Sequence, residues 1–158
     1  MMRNAAAWLR RRAENVAAAM VAVMFAAFVV QIVFRYFFNF PVGWTSELSV
    51  VMWLWLVLWG AAFVVKEREE IRFDLLSASA GRRTRIAMGI AAAAALVVLY
   101  GASLPASYQY VTFMKVESSS YLKIRMDWLF SIYLVFVVAI LVRYLWILSR
   151  LLRGREPE

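Results

Sequence analysis

The chain contains no cysteine and no histidine. The first absence removes disulfides, thiolate nucleophiles and thiolate metal sites. The second removes the side chain that most often serves as metal ligand, haem ligand or general base near neutral pH. Aspartate, glutamate and lysine are also missing from four long apolar runs, of which the fourth is shorter and ends at Arg143. Pumps and carriers place ionisable groups inside their spans, because a charge buried there is costly and kept for use. The acids nearest the runs, Glu14, Glu47 and Asp127, stand at their ends. A small multidrug exporter would carry a glutamate within its first span, and a lipid-modifying transferase would need clustered aspartates; neither pattern is present. The residues point to a chain without catalytic, cofactor or metal sites.

What is abundant is apolar side chain. Hydrophobic residues make up 65% of the 158 positions, and mean hydropathy is +0.70, against roughly 45–50% apolar content in ordinary soluble domains. A chain this short buries only about 70% of its unfolded surface, so a bilayer is its natural solvent. The expected fold is a single all-α integral membrane domain over 1–158, with spans at about 16–36, 46–65, 86–110 and 127–149. The basic start resembles a signal peptide, but the first run ends in bulky F-R-Y-F-F rather than a small-residue cleavage site, which favours an uncleaved span. After the second run E-I-R-F-D-L alternates charged and apolar residues, and a short amphipathic segment lying in the interface is expected at about 70–80. In the third run Gly89 and Ala93 form a small pair that allows close helix approach, and Pro105 is expected to kink the far end.

Charge fixes the expected orientation. The N-terminal tail, the 66–85 connection and the C-terminal end hold fourteen Lys and Arg, against four (Arg35, Lys115, Lys123 and Arg125) on the other side. The positive-inside rule then places both termini in the cytoplasm, and the basic tails read as topology determinants. The net charge of +8 needs no nucleic acid to explain it.

Most unusual residues gather between Phe34 and Gly60, in F-R-Y-F-F-N-F-P-V-G-W-T-S-E-L and the tryptophan-rich run after it. Asn39, Pro41 and Gly43 read as turn residues. Thr45 is placed to cap the next helix, with Glu47 in its first turn. Arg35 and Glu47 flank the tip, where they either pair and fix the entry angles of both helices or meet a partner. Trp55 and Trp59, at i, i+4 spacing, sit too deep for an interfacial belt; a partner protein or internal packing would account for them. Trp44 joins the candidates at the tip, and Asp74 is expected to pair locally with Arg72 or a base in 82–85.

This stretch, followed by W-L-V-L-W-G-A-A and then E-I-R-F-D-L-L, resembles the small membrane subunit of tripartite ATP-independent periplasmic (TRAP) transporters. The informative match covers about Phe34 to Leu76; the rest agrees in span count, orientation and length. The resemblance implies a four-helix inner-membrane subunit with both termini inside. Its implied partners are a large sodium-coupled permease subunit and a periplasmic binding protein that delivers an organic acid. It departs from the family at Glu70, where histidine is common before the Ile-x-x-Asp stretch. A different class, a free-standing small oligomeric carrier with Arg35 and Glu47 at its mouth, is the competing reading.

Overall fold

The computed structural model describes residues 2–40, 42–65 and 81–153. Pro41, Asp74, Glu70 and the expected interfacial segment at 70–80 lie outside the described residues. Four helices are long and apolar enough to cross a membrane, and the described residues contain no strand, only an isolated bridge between Ser118 and Arg125. They are α1 (Met2–Phe37), α2 (Gly43–Trp59), α3 (Arg82–Phe113) and α4 (Met126–Leu152). A wide π-type turn, Gly60–Val64, extends α2. The chain is therefore an all-α, four-span membrane protein.

The helix ends follow from local chemistry. Asn39 closes α1 in the left-handed conformation, φ 49°, which its short polar side chain tolerates better than most. The Phe34 carbonyl then accepts from both Phe38 N–H at 3.3 Å and Phe40 N–H at 3.1 Å. The next helix starts earlier than its sequence suggested. Val42 is its N-cap without a side-chain bond, so Thr45 is not the cap and Glu47 falls in the second turn. Thr45, fully buried, instead donates back to the Val42 carbonyl at 2.7 Å. Its hydroxyl reaches backwards because a helical carbonyl one turn behind is closer than any orphan amide ahead. Farther along, α3 runs through Pro105 as one helix, with Ser103 and Ser107 donating to Tyr100 and Ser103 carbonyls around it.

The helices pack in the order α1, α2, α4, α3, as an open layer. Among the described residues the outer members, α1 and α3, share at most a marginal contact, so the layer does not close into a bundle. Burial follows position. In their most apolar windows α4, with neighbours on both sides, has 22% of residues buried, whereas α1 and α3 have 6% each. Val137 of α4 is fully enclosed, and Ile132 and Ile140 are nearly so.

Small residues set the tightest seam. Ala93 of α3 is 2% exposed beneath Ile147 and Leu151 of α4, with Ile90, Tyr144 and Leu148 around them. One turn earlier Gly89 lies under Leu151, whose Cδ1 would stand 3.3 Å from a Cβ built there. The small pair thus does what close approach requires of it.

Candidate functional site

The two hairpins, α1–α2 and α3–α4, are tied together along one seam between α2 and α4 by three side chains that all bond to main-chain atoms. At one end stands Glu47. Its Oε2 accepts from the backbone N–H groups of Tyr121 at 2.8 Å and Leu122 at 2.9 Å. These amides belong to a tight connection between α3 and α4. In it Ser119 N–H donates to the Ile124 carbonyl at 2.9 Å, Ile124 N–H donates to the Ser119 hydroxyl at 3.0 Å, and Met126 N–H donates to the Glu117 carbonyl at 3.0 Å. Lys123 at φ 53° turns the chain back. Successive amides pointing one way make an anion-binding concavity, and Glu47 fills it.

Gly43 completes this contact by being small. A side chain there would collide with the Tyr121 ring, so the glycine serves close approach, and the positive φ of the tip falls on Asn39 instead. Beside the loop, Arg125 holds Asp127 through Nε at 3.1 Å and Nη2 at 2.6 Å. That pair places a carboxylate in the first turn of α4, where the helix dipole favours it.

Midway along the seam, the indole N–H of Trp55 donates to the Leu129 carbonyl of α4 at 3.0 Å. One turn on, Trp59 donates to the Ala13 carbonyl of α1 at 3.1 Å, and its ring packs on Phe63 at 4.6 Å between centroids. Both indoles are half-buried inside the chain. At the far end Arg143 Nη2 donates to the Ala62 carbonyl in the wide turn at 2.7 Å. Arg143 reaches across to α2 because the wider turn disturbs the regular i+4 pairing and offers a carbonyl to a cation.

Not every candidate residue meets another. Arg35 and Glu47 form no ion pair among the described residues, since the carboxylate is taken by the loop amides. Arg35, Asn39 and Trp44 are exposed at the tip, in company with Tyr36, Phe37, Phe38 and Phe40. Sequence reasoning missed the loop at 117–125 as the acceptor of Glu47. Its only signal was the serine run Ser118-Ser119-Ser120 before Tyr121, which marks a turn without saying what the turn binds. Among the described residues no three acidic side chains come together as a metal site.

A prediction follows for the middle tie. Trp55→Phe keeps the ring and removes the donor, and should lower the chain's stability by about 0.5–1.5 kcal/mol, the net worth of one hydrogen bond. Thermal unfolding in detergent would read this. A melting temperature unchanged from wild type would show that the indole bond contributes nothing to the seam.

The seam thus holds helices together, and among the described residues no group of acidic side chains forms a ligand cage along it. A comparison with curated proteins gave no match. The family model described as the DctQ component of tripartite ATP-independent periplasmic transporters matches residues 24–154. That range takes in all of α2, α3 and α4 and the C-terminal part of α1 from residue 24, and with them every tie of the seam. The chain belongs to the DctQ family, the small membrane component of tripartite ATP-independent periplasmic transporters.

Proposed function

We propose that this chain is the accessory small permease subunit of a secondary transporter in the bacterial inner membrane. With both termini cytoplasmic, it braces a large sodium-coupled permease subunit during uptake of an organic acid delivered by a periplasmic binding protein. The observation that carries this reading is the open layer itself. Its broad faces leave Phe25, Phe28, Trp53, Val98 and Leu99 uncovered. The charge deepest in the helices, Arg143, is engaged with the chain's own Ala62 carbonyl. A layer of this kind suits a brace better than a conduit, because a pathway for a charged substrate would need polar groups along it. The exposed tip at Arg35, Asn39 and Trp44, together with Pro41, which follows Phe40 in the sequence, and Asp74 beyond α2, are the proposed places of contact with partners.

Affinity purification of the tagged chain from its own membranes in mild detergent should bring down one much larger multi-span protein in stoichiometric amount. Reconstituted alone in liposomes, the chain should transport nothing, whereas substrate flux there would establish the free-standing carrier. Uptake at the normal rate in cells lacking this chain would sink the proposal. Orientation has its own test, made simple by the absence of native cysteine. A single Arg153→Cys substitution should resist a membrane-impermeant maleimide in intact cells, and labelling there would place that end outside.

A further inference from the structure

Beside the seam, α4 and the end of α2 enclose a groove of about 620 Å³ lined by Ala62, Phe63, Leu134, Val138, Val142 and Arg143, among others. Its walls are aliphatic and aromatic apart from the guanidinium that closes one end. From Leu134 to Arg143 the groove follows α4 for about 13 Å by helix rise. That is close to half of the roughly 30 Å hydrocarbon core, the depth of one leaflet. The mouth leads onto an interfacial anchor. Val135, Val138, Val142, Trp146 and Arg150 succeed one another at helical spacing on one side of α4. Trp146 is 59% exposed, and the Arg150 guanidinium stands 4.8 Å from the centre of its ring.

We propose that this groove is a binding site for one anionic glycerophospholipid, with an acyl chain along Leu134–Val142 and the phosphate at the Arg143, Trp146 and Arg150 end. Three observations select this occupant. The groove is apolar for the depth of one leaflet, as an acyl chain requires. It ends in positive charge where a headgroup phosphate would lie, and basic pockets between helices at the headgroup level favour anionic lipid. A tryptophan marks that level, where indoles preferentially sit. The attraction is between net charges and does not require Arg143 to leave the Ala62 carbonyl.

The test is native mass spectrometry of the full chain in mild detergent, titrated separately with phosphatidylglycerol and phosphatidylcholine of identical acyl chains. Wild type should retain one phosphatidylglycerol, bound about fivefold more tightly than phosphatidylcholine, the factor expected of one interfacial arginine. Arg143→Gln should reduce that preference, and Arg143→Gln combined with Arg150→Gln should erase it. Because both variants also lose the bond to Ala62, Val138→Trp is the second test. It fills the groove at a half-exposed position, leaves Arg143 in place, and should abolish retention of either lipid. Equal binding of the two lipids by wild type, or undiminished retention by Val138→Trp, would overturn the proposal. So would a photo-crosslinker at Val138 that captures a protein partner in place of lipid.

Discussion

Glu47→Lys is expected to abolish most of the uptake supported by this chain and most of its recovery in a complex with the large subunit. The carboxylate is the point at which the first hairpin grips the second, through the Tyr121 and Leu122 amides. An ammonium there turns an acceptor into a donor and faces a positive concavity, so two amides lose their partner and a repulsion replaces an attraction. Glu47→Ala should be milder, removing the acceptor without adding a like charge. Glu47→Gln should be milder still, because one amide oxygen can accept from the loop. The loss should therefore rise in the order Gln, Ala, Lys, with lysine about tenfold below wild type. Glu117→Ala is the control. Glu117 lies in the same connection, but only its main chain is bonded there. Co-purification yield and uptake, measured side by side, would decide the matter. Equal effects at positions 47 and 117 would remove the clasp as an explanation.

The second large effect is expected at Ala93→Leu. Ala93 is 2% exposed between α3 and α4, and neighbouring Gly89 is already in close contact with Leu151. A larger side chain has no room unless the helices separate, and overpacking of this kind costs about 1–3 kcal/mol. Within an open layer the damage is not shared, because α3 touches the rest of the described chain chiefly through α4. Ala92→Leu, on the exposed face one residue away, should be nearly silent. Thermal unfolding of both variants in detergent separates them. If Ala92→Leu and Ala93→Leu melted together, the small residues would not be what sets the approach of α3 to α4.

Some parts of this architecture were legible in the residues and others were not, for a consistent reason. The small pair Gly89 and Ala93 announced a close helix contact, since only small side chains permit one. Asn39 announced the turn. Glu47 drew notice as an acid at a span end, but its partner did not, because Tyr121 and Leu122 contribute amides that every residue but proline possesses. Trp55 and Trp59 present the same case, with Leu129 and Ala13 offering carbonyls. Thr45 was placed as a cap because it is the right residue type near the right place; the close approach of Tyr121 to Gly43 is a feature of the folded contact.

The sequence by itself determined the solvent, the number of spans and the lack of cysteine and histidine along them. Hydropathy and length choose the bilayer residue by residue, and a side chain that is missing cannot be supplied by folding. Only the tertiary structure decided that the helices lie as an open row in the order α1, α2, α4, α3, with Glu47, Trp55 and Arg143 binding across the seam. Those ties join side chains to distant main-chain groups, which are alike at nearly every position, so their partners leave no mark in the sequence and are selected by geometry alone.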